Sequence, residues 1–153
     1  MPRRSRGFTL LELMVVIALI GIVLGVVSLS TSNSPGRVAR QEAGQLLQVV
    51  QQLREQAVLE GREYGVRIQR DEYRVARLEH EGWQPAGAVH RLPEGLYLHL
   101  EQEGQQLNLD GTVPQLLMLS NDELSAFVLY FKSMEQTWLS VVSDGAGDPW
   151  IEG

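Results

Sequence analysis

Few residues in this chain are placed to do chemistry, and Glu12 is the most conspicuous of them. It precedes a run free of charge from Leu13 to Leu29, and the next charged residue is Arg37. An ionised carboxylate near the start of a membrane helix costs up to ~3 kcal/mol on insertion scales, so Glu12 calls for a cationic partner. The histidines are His80, His90 and His99. No two of them stand at the i,i+2 or i,i+4 spacing of a metal pair, and they read as exposed or turn residues. Asp144 and Asp148 bracket a glycine loop, Asp144-Gly145-Ala146-Gly147-Asp148, which makes a weak calcium candidate. Calcium takes roughly six to eight oxygens and this loop lacks the EF-hand ligand pattern, so a hairpin turn before Trp150-Ile151 is the plainer reading. The sequence contains no Gly-x-Ser-x-Gly elbow, no nucleophile with a matching base and no glycine-rich phosphate loop. The expectation is a protein without enzymatic activity and without a cofactor.

Composition narrows the class further. Cysteine is absent, which excludes a disulfide scaffold and a cysteine-ligated metal but leaves the compartment open. Net charge is -6 over 153 residues, and Lys132 is the only lysine. Arg3, Arg4 and Arg6 crowd the first seven residues; without them ten basic residues face nineteen acidic ones. So acidic a remainder lacks the basic footprint of a nucleic-acid binder, and no nucleic-acid partner is expected.

The elements that carry these residues follow from hydropathy. Leu13 to Val27 is apolar on every face, which suits lipid or the centre of a large core, and a domain of this size has no such core. Residues 8–34 as a helix would reach about 40 Å, ample for a hydrocarbon layer of roughly 30 Å. The leader arginines set the N-terminus on the cytoplasmic side and the C-terminal domain across the membrane. Gly21 and Gly25 form a Gly-xxx-Gly spacing that can bring two membrane helices close, although glycines are common in such helices. A secretory signal peptide, with small residues from Ser28 to Ser34 for its peptidase, and a plain single-pass anchor both fit the hydropathy. Neither explains Glu12.

Ser32-Asn33-Ser34-Pro35-Gly36 interrupts the pattern, and a kink or break is expected there. Beyond it Ala39, Ala43, Leu46, Val50, Leu53 and Ala57 recur in steps of three and four, widened by Leu47 and Val49. That stripe predicts an amphipathic helix from about Arg37 to Glu60, closed by Gly61. After Gly61 the period becomes alternating. Strands are expected at Tyr64–Ile68, Tyr73–Leu78, Leu96–Leu100, Leu107–Leu109, Leu116–Leu119, Phe127–Phe131 and Trp138–Val142, with Arg70-Asp71-Glu72 as a turn and Asp110-Gly111 as a hairpin signal. Turns about every ten residues point to an antiparallel β-sandwich or a strongly bent sheet.

The run Arg6-Gly7-Phe8-Thr9-Leu10-Leu11-Glu12-Leu13-Met14-Val15-Val16 resembles the type IV prepilin signature at the start of pilins and pseudopilins. The resemblance implies cleavage by a prepilin peptidase between Gly7 and Phe8 and N-methylation of the new terminus at Phe8. It also makes Glu12 the glutamate at the family's fifth mature position. The chemistry is consistent, because the freed amine would lie one helical turn from Glu12, and an acid in the first turn is favoured by the helix dipole. In a staggered filament the same carboxylate could pair with a neighbour's amine and set subunit register. Farther along, Leu116-Leu117-Met118-Leu119-Ser120-Asn121-Asp122-Glu123-Leu124-Ser125-Ala126-Phe127-Val128-Leu129 resembles a strand-turn-strand of the GspH/FimT family of minor pseudopilins and pilins. Members often carry Gly-Glu before that turn's second strand, where Asn121-Asp122-Glu123 stands here.

Together the resemblances imply an α+β pilin-like fold, a long N-terminal helix packed on antiparallel sheet. The expected divisions are 1–7 leader, 8–34 membrane and filament-core helix, 35–61 amphipathic helix and 62–153 periplasmic β domain. The absence of cysteine, and of a proline within the apolar run before Pro35, favours an H-type minor pseudopilin of type II secretion, near the tip of a periplasmic pseudopilus, over a major subunit. A minor pilin of a type IV pilus or DNA-uptake machine is the alternative within that class, and a periplasmic binding domain on an uncleaved anchor is the alternative outside it. The implied partners are other minor pseudopilins, the major pseudopilin, the prepilin peptidase and the inner membrane, with a secreted substrate as a further candidate.

Overall fold

The computed structural model describes residues 8–29 and 34–153, with side chains in the first helix as far as Ile22. Contacts divide the chain into two compact units, residues 1–33 and 34–153.

Helix α1 runs Leu10–Leu29. Its described side chains are apolar apart from Glu12, and they lie open on all faces, from Leu10 at 78% exposed to Ile22 at 64%. Among the described residues no helix is long and apolar enough to cross a membrane. The expected span also takes in residues 23–29, whose side chains lie outside the described ones; Gly7 and residues 30–33, among them Ser32 and Asn33 of the expected break, lie outside the described residues altogether.

In the second unit, α2 covers Pro35–Glu60. It begins two residues before the apolar stripe predicts, because proline is well suited to the first helical position, where its missing N–H is not needed. Its buried side chains, Ala39, Glu42, Ala43, Leu46, Val50, Leu53 and Ala57, form the predicted stripe with one addition, the acid Glu42. Gly61 ends the helix at φ +61°, and its N–H and that of Arg62 both return to the Ala57 carbonyl. That left-handed turn is cheap only for glycine.

Nine strands follow: β1 Tyr64–Ile68, β2 Glu72–Glu79, β3 Gly82–Arg91, β4 Tyr97–Gln102, β5 Gln105–Gln106, β6 Leu116–Met118, β7 Phe127–Lys132, β8 Thr137–Ser143 and β9 Trp150–Glu152. They form two antiparallel sheets, ordered β3-β2-β1-β6 and β5-β4-β7-β8-β9. α2 packs against strands of both sheets, and one core joins all three. From the helix come Leu46 and Val50, from the first sheet Val66, Ile68, Leu116 and Met118, and from the second Leu100, Leu129, Phe131 and Val141, all fully buried. The alternation that predicts β1 and β7 is the alternation that faces this core.

Two expectations are corrected here: Leu107–Leu109 forms no strand, and the hairpin falls elsewhere. Asp110-Gly111 makes no hairpin; it lies on the crossing from the second sheet to the first. The Asn108 side chain accepts the Asp110 N–H, and the Gly111 carbonyl accepts from Arg67. The tight hairpin is instead Glu103-Gly104, between β4 and β5, with φ +52° and +75°. Positive φ at both central residues is the geometry that matches strand twist. β3, whose Pro85-Ala86-Gly87-Ala88 core is poor in strand formers, was not predicted; it pairs with β2 from Glu79↔Gly82 to Glu72↔Arg91.

Candidate functional site

Chemistry-bearing groups collect at three places: the head of α1, the buried flank of α2, and the far end of α2 beneath two loops.

At the head of α1, Thr9 precedes the helix and its Oγ1 accepts the Glu12 backbone N–H at 3.3 Å, while Leu13 N–H bonds the Thr9 carbonyl. Thr9-Leu10-Leu11-Glu12 is thus a capping sequence of the Ser/Thr-x-x-Glu kind, in which side chains satisfy N–H groups the helix leaves open. The sequence reading assigned Glu12 but missed Thr9, though the spacing was there to be seen. Glu12 lies in the first turn, where the dipole favours an anion. Phe8 is exposed just ahead of it.

On the flank of α2, Glu42 is buried, and its Oε2 lies 2.7 Å from His90 Nε2 on β3. His90 also stacks on Tyr73, with ring centroids 4.7 Å apart. Burial, and after it the charge of Glu42, pushes the Tyr73 phenol up to about 12. His90 is therefore neither a turn residue nor free of a partner. His99, on β4, contacts Glu101 at 3.3 Å and packs against Tyr130. His80 lies exposed in the β2–β3 turn. Among the described residues no three acids or histidines gather as a metal site.

At the far end, Arg54 reaches across to two loops. Its Nε donates to Asp122 Oδ1 at 2.7 Å and to the Asp122 carbonyl at 3.2 Å. Its Nη1 donates to the Gly147 carbonyl at 3.2 Å and to Asp148 Oδ1 at 3.1 Å. Asp122 holds φ +71°, a conformation that glycine adopts without strain, and Asp122 stands where the family resemblance offers a glycine. Asp144 and Asp148 take different partners. The Asp144 carboxylate accepts the N–H groups of Ala146 and Gly147, which hold it below the usual carboxylate range. Asp148 turns to Arg54, whose positive charge opposes a cation at that oxygen.

The described residues offer a helix with the Glu12 carboxylate near its head, and a β unit whose loops are tied to α2 through Arg54. Residues 2–28 match the prokaryotic N-terminal methylation motif. The chain is 42% identical over 167 residues to type II secretion system protein H of Pseudomonas aeruginosa, covering 98% of this chain and 97% of that protein. Type II secretion system protein H of Aeromonas hydrophila is 29% identical over 154 residues, covering 87% and 84%. The crystal structure of the minor pseudopilin EpsH from the type II secretion system of Vibrio cholerae superposes with a TM-score of 0.69 at 26% identity, covering 78% of this chain and 96% of that one. The solution structure of GspH from E. coli shares the fold, with a TM-score of 0.66 at 17% identity over 79% of this chain and 92% of its own. With 42% identity to protein H over nearly the full length of both chains, and this fold, the chain belongs to the type II secretion system protein H family, the minor pseudopilins.

Proposed function

We propose that this chain is a structural subunit, not an enzyme, placed at or near the tip of the periplasmic pseudopilus. In this reading the prepilin peptidase removes residues 1–7 by cutting between Gly7 and Phe8, and Phe8 becomes the N-methylated terminus. The processed chain rests in the inner membrane as a single span, with its β unit in the periplasm. It then joins the major pseudopilin and other minor pseudopilins. The observation that carries the reading is Glu12 in the first turn of a helix otherwise apolar in all its described side chains, inside the segment that matches the methylation motif.

The assembly chemistry follows from that geometry. The new Phe8 amine and Glu12 stand at i,i+4 and can meet within a chain. In a staggered bundle the carboxylate can instead take a neighbour's amine, and because lipid-facing positions offer it no other cation, axial register is set by that pairing. The first experiment is the mass and identity of the N-terminal residue on chain purified from a membrane holding its own leader peptidase. N-methylated Phe8 is the expected result; an intact Met1 would point to a plain anchor, and a cut beyond Ser28 to a secreted domain. The second is Glu12→Ala, which is expected to be processed as wild type yet depleted several-fold from crosslinked pseudopili. Wild-type recovery of that variant would remove the register role.

A further inference from the structure

Four arginines of the second unit have evident partners. Arg54 holds two loops, Arg77 pairs with Glu79, Arg91 pairs with Glu72 at 3.2 Å, and Arg70 lies over the Tyr97 ring. Arg67 and Arg74 are placed differently. They stand directly opposite each other on β1 and β2, on the face turned away from the core that takes Val66, Ile68 and Tyr73. The Gln69 N–H bonds the Glu72 carbonyl, so by alternation Arg67 and Arg74 form a hydrogen-bonded pair, with Cα atoms about 5.5 Å apart.

Like charges so opposed cost stability, and among the described residues neither arginine forms an ion pair. Arg67 Nε donates to the Gly111 carbonyl at 2.9 Å. With the Gln69 amide turned to satisfy both neighbours, its oxygen accepts from Arg67 Nη2 at 3.2 Å and its nitrogen donates to Glu72 at 2.7 Å. Glu72, the acid that shares this face, is thus already engaged by Gln69 and Arg91. Arg74 Nε is buried and has no hydrogen-bond partner among the described residues. Beside it the register of β3 slips from Ala76↔Pro85 to Arg74↔Val89, an irregularity of the kind that re-aims side chains. A guanidinium partly out of water is weakly screened, and its attraction for an anion is correspondingly stronger.

The crossing segment runs along β1 on this same face, with Gly111 at Arg67 and Pro114 Cβ 2.6 Å from where a Gly65 Cβ would lie. Between them Val113 is 58% exposed. We propose that Arg67 and Arg74 are the docking site for a carboxylate of a protein partner, an Asp or Glu side chain in an acidic segment laid beside the crossing segment. The carboxylate takes Nη groups of both guanidiniums and cancels the opposed charges, while its flanking residues meet Val113 and Val89. A side chain is favoured over a polyanion, because the chain as a whole carries -6 and repels extended arrays of phosphate at long range. A single carboxylate meets the two arginines inside the screening length of about 8 Å, where the local charge decides.

Thermal unfolding of the full-length chain in neutral detergent tests this, with acetyl-Ala-Glu-Glu-Ala-amide as the probe. Its glutamine counterpart and sodium phosphate, both at the same ionic strength, are the comparisons. At tens of millimolar the glutamate peptide should raise Tm by about 2–5 °C, and the glutamine peptide by less than about 1 °C. Arg67→Gln and Arg74→Gln should each abolish the rise, and Arg74→Lys, which keeps the charge but not the fork, should retain less than about half of it. Without peptide, Arg74→Gln should unfold no earlier than wild type, since it removes one of two opposed charges. No rise with the glutamate peptide, or a rise that survives both glutamine variants, would overturn the proposal. A rise with phosphate as large as that with the peptide would overturn it in favour of a general anion site. A fall of several degrees in peptide-free Arg74→Gln would make the arginine structural and overturn it as well.

Discussion

Replacing Arg54 by alanine removes one side chain and frees two loops at once. The guanidinium side chain is 13% exposed, while its carboxylate partners Asp122 and Asp148 are 62% and 78% exposed. Such water-facing acids limit each ion pair to about 0–1 kcal/mol. The bonds to the Asp122 and Gly147 carbonyls come from a charged donor, but both residues are exposed, so each contributes about 1 kcal/mol, below the ~1.5–3 kcal/mol of such bonds. The expected loss is about 2–3 kcal/mol, a fall in Tm of roughly 5–12 °C for a unit of this size. Asp122 sharpens the test, because its left-handed backbone costs about 1 kcal/mol that Arg54 helps to offset. Asp122→Gly should thus be nearly neutral in the wild type, where relieved strain balances the lost pair, yet stabilising by about 1 kcal/mol in Arg54→Ala. Thermal and urea unfolding of the four variants measures the cycle. An Arg54→Ala variant within 0.5 kcal/mol of wild type, or an Asp122→Gly effect of the same sign and size in both backgrounds, would refute the clamp.

Three further outcomes are expected. His90→Ala leaves the buried Glu42 carboxylate unpaired and should cost about 1–3 kcal/mol in urea unfolding, whereas Glu42→Leu combined with His90→Leu should recover much of it; equal loss in the single and double variants would show that the pair does not matter. The Tyr73 phenol, raised from 10.0 to about 12, adds stability that is complete below pH 10 and fades as pH climbs from 10 towards 12. Over that window wild type should lose about 2–3 kcal/mol more than Tyr73→Phe, and parallel stability curves would contradict the assignment. A Cβ on Gly65 would lie 2.6 Å from Pro114 Cβ and 3.2 Å from the Leu116 carbonyl, so Gly65→Ala should cost about 1–3 kcal/mol, and an unchanged Tm would mean the crossing segment yields freely.

How much of this was legible in the sequence depends on the reach of each interaction. The stripe Ala39 to Ala57 and the alternation Tyr64-Val66-Ile68 are local patterns imposed by one buried face, and they give α2 and β1 directly. β3 was missed because Pro85-Ala86-Gly87-Ala88 has no strand propensity of its own; pairing with β2 holds it in place, and a register shift between Arg74 and Ala76 absorbs the mismatch. Asp110-Gly111 misled because the same residues suit a hairpin and an irregular crossing, while Glu103-Gly104 hid its hairpin behind a residue that rarely takes positive φ. Glu42 with His90, separated by 48 positions, and Arg54 with Asp148, separated by 94, carry no local signature at all. Thr9 is the instructive case, since a capping threonine three residues ahead of Glu12 was readable and gives that glutamate's own backbone a local role beside the one proposed for its carboxylate.

The uniform apolarity of α1 bears on how assembly can be driven. A helix that is equally greasy on every side gains almost nothing in hydrophobic free energy when it leaves lipid for a bundle of similar helices, because hydrocarbon tails and leucine side chains are equivalent surroundings. Such an exchange is close to thermoneutral, and therefore easily reversed. Direction must come from elsewhere: from the few polar contacts that distinguish one axial position from the next, from the folded units meeting outside the bilayer, or from work supplied by the machine. A subunit assembled as proposed would be held deeply by neither lipid nor bundle, and could leave the bundle as readily as it entered.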